Sequence, residues 1–294
     1  MKQFFQISTI NTLNLTENVE AEIQKYSQKQ VIFYPDDSKT EDETVLRIGQ
    51  SDAVLGSWNS TITKKVLDAC PNLKYIGICG TSLTNVDVEE VTKHKIILKN
   101  VVDYGDEATA EFIFAQLLNL FRGFGKYQLD TVPSELNGKT IGIIGLGAVG
   151  QQVAKRALGF SMNVIYYSRT RNSEWENKGL TYKDLNTLLS EADVISLNVP
   201  RNLNIIGQNE FSLIKPKAVL VNTAIGNVFD LPSLIKWISK GNNFFIVDNQ
   251  EYFDQIKDLP NVIALPVTAG KTRDTVNRLS KKVIENLKSF LDTN

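Results

Sequence analysis

"TIGIIGLGAVGQQVAKRAL", Thr140 to Leu158, runs an apolar stretch into a helix-forming stretch through Gly145, Gly147 and Gly150. The spacing is G-x-G-x-x-G, which is informative only where a strand precedes it and a helix follows. "TIGII" meets the first condition and "VGQQVAKRAL" the second. Each glycine then has its own reason. Gly145 permits a tight turn, Gly147 lets the backbone approach a pyrophosphate, and Gly150 lets the helix pack close to the strand. The helix start, at Ala148 and Val149, offers free N–H groups and the positive end of its dipole to phosphates. The competing reading is a glycine-rich turn with no ligand.

The runs that follow favour the ligand. "NVIYY", "DVISLNV", "AVLVNTA", "FFIVD" and "NVIAL" are apolar, and helical patterns such as "YKDLNTLLSEA" and "LPSLIKWISKG" separate them. With "TIGIIGL" they make six strands of a doubly wound parallel sheet. A weaker βα rhythm precedes them in "FFQI", "VIFY", "AVLG", "YIGIC" and "IIL". The fold class expected is α/β: a Rossmann-type doubly wound sheet plus a smaller flavodoxin-like α/β domain. A long helix from about Asp106 leads into the larger domain. The last segment, "TRDTVNRLSKKVIENLKSFL", is an amphipathic helix. With the second sheet full, that helix is expected to return to the first. The expected domains are therefore residues 1–102 with 271–294, and residues 103–270.

The 294 residues are too many for one core, and the apolar and charged fractions, 42% and 22%, are those of a soluble globular protein. Net charge is −1 without a basic stripe, which argues against nucleic acid. Cys70 and Cys79 make no disulfide framework and suit a reducing, cytoplasmic setting. The start "MKQFFQISTINT" has no secretory pattern, and "FIFAQLLNLF" is too short for a membrane span. That segment is apolar on most faces, as in helices covered by a domain or a second subunit. No metal-ligand cluster is read.

After "NVIYY" an NAD-binding unit would carry an acid for the ribose 2′-OH. The chain has Ser168, Arg169, Thr170 and Arg171. Two guanidinium groups and two hydroxyls suit a 2′-phosphate, so NADP(H) is expected over NAD(H). A solvated turn is the alternative.

Together with "LNGKTIGIIGLGAVGQQVAKRALGFSMNVIYYSRT", this order of domains resembles the D-isomer-specific 2-hydroxyacid dehydrogenase family. "GTSLTNVDVEEVTKHKIILKN", "LLSEADVISLNVP", "IKPKAVLVNTAIG" and "LPNVIALPVTAG" carry the likeness nearly from end to end. The resemblance implies hydride transfer at the C2 carbon of a 2-oxo or 2-hydroxy acid and a homodimer. It also implies cofactor contacts at Val199, Pro200, Thr223, Ala224, Asp248 and Gly270, with Asp248 near the nicotinamide carboxamide or else a turn aspartate. Thr81, Ser82 and Leu83 stand where the family binds substrate.

The implied catalytic set is an arginine, a glutamate and a histidine. At those positions the chain has Ile225 in "NTAIG", Phe253 five residues after Asp248, and Val267 in "PVTAG". Its single histidine, His94, lies in polar "TKHK" and reads as a surface residue. Lys271, Tyr104 and Glu251 are the remaining candidates for proton chemistry. Two readings stay open. One is an NADP(H)-dependent reductase with atypical proton delivery. The other is a catalytically silent NADP(H)-binding sensor or regulator.

Overall fold

A computed structural model describes residues 2–293. The chain divides into two compact units, residues 1–104 with 272–294, and residues 105–271.

In the first unit a parallel sheet has the order β1-β2-β3-β4, with β1 at Ile7–Thr9, β2 at Ala53–Ser57, β3 at Tyr75–Cys79 and β4 at Ile97–Asn100. Two expected strands are corrected here. Of "FFQI" only Ile7 joins the sheet, and "VIFY" makes a single bridge from Ile32 to Ser8. Thr9 explains the second loss, because its hydroxyl accepts the Tyr34 N–H at 3.0 Å where a ladder would use a carbonyl. The bridge still places this segment outside β1, the side arrangement of a flavodoxin-like sheet. The last helix, Arg273–Thr293, buries Leu279, Val283, Leu287 and Phe290 in the core of this unit. Phe290 stacks on Phe4 and meets Tyr75 edge-on. Cys70 and Cys79 are free thiols buried in the two cores of this unit.

The second unit has seven parallel strands rather than the six expected. They are β5 (Thr140–Ile144), β6 (Asn163–Tyr167), β7 (Thr181–Tyr182), β8 (Val194–Leu197), β9 (Val219–Asn222), β10 (Phe244–Val247) and β11 (Val262–Ala264). Their order is β11-β10-β9-β8-β5-β6-β7. The added strand, β7, is two residues long and shows no periodicity. "YKDLNTLLSEA" is accordingly not helical from its start, and its helix begins at Leu185.

Both faces of this sheet are covered, which is why its strands read as unbroken apolar runs. Ile141, Ile143, Val219, Val221 and Ile246 point to one core, with the helix Asp106–Arg122 laid across it. Ile144, Ile195, Leu197, Leu220 and Phe245 point to the other. Among the described residues no helix is long and apolar enough to cross a membrane.

Candidate functional site

The chain runs outward from β5 to β6 and β7, then returns to β8 on the other side of β5. Strand order therefore reverses between β5 and β8, where open α/β sheets bind ligands. The glycine loop leaves β5 at this point. Gly145 has φ +93°, its N–H donates to the Tyr167 carbonyl at 2.8 Å, and a Cβ there would lie 2.3 Å from the Asn198 carbonyl oxygen. A Cβ on Gly150 would lie 2.1 Å from the Gly145 oxygen. The fold itself explains both glycines.

Gly147 is different. It caps the helix Ala148–Gly159 with φ −77° and ψ −163°, a conformation open to any residue, and a Cβ there would meet nothing within 4 Å. Nothing inside the protein requires glycine at this place. Its bare Cα leaves room for a group approaching from outside, beside a helix start with no side-chain cap. The loop thus fits a pyrophosphate at Gly147, Ala148 and Val149. Gly270 has a packing reason instead, since its Cβ would lie 3.0 Å from Thr109 Oγ1.

The four polar residues after β6 do not act alike. Arg171 is held by Glu176 through two hydrogen bonds, at 3.0 and 2.6 Å, and lies over the Tyr182 ring. The buried Tyr166 hydroxyl donates to the same carboxylate at 2.6 Å and accepts the Asn172 N–H at 2.7 Å. Arg171 and Tyr166 together hold the Glu176 carboxyl down at about 2. The Ser168 hydroxyl donates to the Thr170 carbonyl. Arg169 and Thr170 are exposed at the head of the turn. Arg171 is thus clasped by Glu176, while Arg169 stands exposed beside Thr170. Glu176, in a short helix after the turn, was the partner missed from sequence.

Ile225 and Val267 lie on the loops that follow β9 and β11, and Phe253 begins the short helix Phe253–Ile256 at the end of the loop that follows β10. Hydrogen bonds join these loops in pairs. Buried Asn222 donates to Tyr252 Oη at 2.6 Å and accepts the Ala224 N–H at 3.1 Å, which ties the turn of Thr223, Ala224 and Ile225 to the segment beside Phe253. Asn249 N–H donates to the Val267 carbonyl at 2.9 Å, and Ala269 N–H donates to Asp248 Oδ2 at 2.9 Å. The family positions are thus gathered on adjoining loops. Two of their side chains are open, with Ile225 54% and Val267 49% exposed. Sequence reading overlooked Tyr252, for which an aromatic next to Phe253 was the only signal. Tyr252 also lines a pocket of about 530 Å³ with Asn204, Asn227, Asp230 and Gln255.

Asp248 is 3% exposed and also accepts from Gln250 Nε2. Burial pushes its carboxyl above the usual range, against both hydrogen bonds. The folded state therefore holds this proton more tightly than the unfolded chain, for which the value is 3.8. The stability this gives is complete below that value and is lost as pH rises through the folded one. Asp248→Asn keeps an acceptor for Ala269 and removes the titration. Relative to the parent, the variant should gain stability as urea unfolding is repeated from about pH 4 upward. A difference that stayed flat with pH would contradict this.

The other candidates are placed as follows. Glu251 is paired with Arg201 at 2.7 Å on the surface. Lys271 is exposed. Tyr104 packs against the first unit's core, and its carbonyl accepts from Arg278 at 2.9 Å. In that unit Thr81 donates its hydroxyl to the Val101 carbonyl at 3.1 Å, and Ser82 bonds Thr84 at 2.8 Å. Leu83 is half-buried. His94 lies 3.0 Å from Asp68 through Nε2 and 2.8 Å from the Glu90 carbonyl through Nδ1. Val199 and Pro200 lie in the loop after β8. Among the described residues no group of three or more His, Cys, Asp or Glu gathers to hold a metal.

A seven-stranded parallel sheet with an open glycine cradle at its switch point is the architecture of a dinucleotide-binding domain. Residues 117–269 match the family described as D-isomer specific 2-hydroxyacid dehydrogenase, NAD binding domain. The glyoxylate reductase of Thermococcus litoralis is 35% identical over 83% of this chain and 82% of its own. A solved acyclic imino acid reductase (Bsp5), in complex with NADPH and D-Arg, superposes with TM-score 0.84 at 29% identity over 98% of this chain and 97% of that one. D-Lactate dehydrogenase from Aquifex aeolicus shares the fold, with TM-score 0.78 at 24% identity over 98% and 96%. The chain belongs to the D-isomer-specific 2-hydroxyacid dehydrogenase family. It is thereby an NAD(P)-dependent oxidoreductase of the CH–OH/C=O class.

Proposed function

We propose that this protein is an NADP(H)-preferring reductase of a small carbonyl or 2-oxo acid-like substrate, working with atypical proton delivery. The observation that carries the reading is a contrast. The Gly147 cradle is open to a dinucleotide, while Ile225, Phe253 and Val267 offer no exchangeable proton. A bound reduced nicotinamide supplies the hydride. The chain supplies the rest. N–H groups at Ala148 and Val149 would hold its pyrophosphate, and the turn of Ser168, Arg169, Thr170 and Arg171 would take a ribose 2′-phosphate, chiefly through Arg169. Asp248 fixes the turn that carries Val267, and Ile225 and Val267 present apolar side chains at this edge. Water, the substrate or Lys271 delivers the proton.

The names of two relatives support this reading. One is a glyoxylate reductase and the other an imino acid reductase holding NADPH. The half-covered helix Asp106–Arg122, with Phe112 and Leu118 only partly buried, supports a homodimer. Two buried free thiols fit a cytoplasmic protein.

Fluorescence titration of NADPH and NADH tests the cofactor. Arg169→Ala should weaken NADPH by about tenfold or more and leave NADH nearly unchanged. Arg171→Ala should lower stability with the NADPH:NADH ratio largely kept, because its charge is spent on Glu176. If the parent protein bound NADPH no tighter than NADH, the preference would be wrong. NADPH binding without turnover of any carbonyl or imine would favour the silent sensor.

A further inference from the structure

Resting on the reductase reading above, we propose that this site reduces a protonated imine in preference to the corresponding neutral carbonyl. Hydride addition to a carbonyl creates an alkoxide, which needs a proton and a stabilising charge. The three adjoining loops offer neither from Ile225, Phe253 or Val267. A protonated imine arrives with both its proton and its charge. The hydride's electron pair forms the new C–H bond, and the π pair of C=N closes onto nitrogen as a lone pair. The positive charge passes to the oxidised cofactor, and the product is a neutral amine. No proton moves to or from the protein. The charge on the substrate falls rather than rises, which suits an apolar lining.

The charges on this edge point the same way. On the loops after β8, β9, β10 and β11 the charged side chains are Arg201, Asp230, Asp248, Glu251 and Lys271. Arg201 and Glu251 neutralise one another, and Asp230 accepts the Ser233 N–H at 3.0 Å as a helix cap. Lys271 is exposed at the far end of its loop. That leaves Asp248, buried and bonded to the turn that carries Val267. An arginine at 225 and a charged imidazole at 267 would repel a cation. With both replaced by apolar side chains, the remaining field favours one.

The test uses the full chain with NADPH and three probes: 2-methyl-1-pyrroline, glyoxylate with methylamine, and glyoxylate alone. NADPH binding is measured first by fluorescence, and its absence would overturn the reductase reading itself. With binding shown, kcat/KM for the imines should exceed that for glyoxylate alone by about 100-fold or more. Glyoxylate reduced alone as fast or faster would overturn the imine proposal and leave the reductase reading standing. Oxidation of NADPH by none of the three would overturn both. A second readout needs no turnover: 2-methylpyrrolidine should raise the melting temperature of the protein with NADP+, and glycolate should not. A larger shift from glycolate would overturn the proposal. Ile225→Arg should cut imine kcat/KM by about tenfold or more with NADPH affinity retained. An unchanged imine rate would overturn the charge argument.

Discussion

Gly147→Val is expected to raise the dissociation constant for NADPH by about 100-fold or more, at a stability cost of about 1 kcal/mol or less. The two halves of this result have separate causes. The backbone at Gly147 sits in the extended region and a Cβ meets open space, so the folded protein tolerates a branched side chain. A pyrophosphate held by the helix start must lie against that same Cα, and valine fills the place. Isothermal titration and urea unfolding on one preparation would separate the effects. Tight NADPH binding in the variant would show that the cradle holds something else.

Gly145→Ala should produce the opposite pattern, a loss of about 3 kcal/mol in folding stability. Its φ of +93° is closed to alanine without strain, and the new methyl would press on the Asn198 carbonyl at 2.3 Å. That carbonyl belongs to the residue just after β8, where the backbone has little freedom to yield. Weak cofactor binding would follow from the disturbed loop. The diagnostic quantity is the midpoint without ligand, which should fall well below that of the Gly147 variant. Equal midpoints for the two variants would contradict the assignment of different roles to these glycines.

How much could be read from the residues varies with the range of the contact involved. The glycine loop was legible because turn, approach and packing are demands made within six residues. The sheet was legible because helices on both faces leave its strands uninterrupted by polar residues. β7 was not, since two residues carry no period and its pairing depends on β6 beside it. "VIFY" looked like a strand from composition, and the side chain of Thr9, more than twenty residues away, ended it. The clasp on Arg171 depends on Glu176 and on Tyr166, residues brought together by a helix turn and a strand end. The absence of Arg, Glu and His at 225, 253 and 267 was legible at once. The bonds that draw those loops together, Asn222 to Tyr252 and Asp248 to Ala269, join residues 30 and 21 apart and appear only in the structure.

The closing helix of the first unit also sets an order of assembly. Its core joins Phe4 and Tyr75 to Leu279, Val283, Leu287 and Phe290, the first described strand region to the last helix. During synthesis residues 105–271 emerge as an unbroken segment holding every strand of their own sheet. They can fold while the earlier sheet still waits for its cover. Until Arg273–Thr293 leaves the ribosome, one face of that sheet shows aromatic surface to the cell. The first unit, though begun before the second, is completed after it, and its waiting time is an interval in which the nascent chain is open to a chaperone.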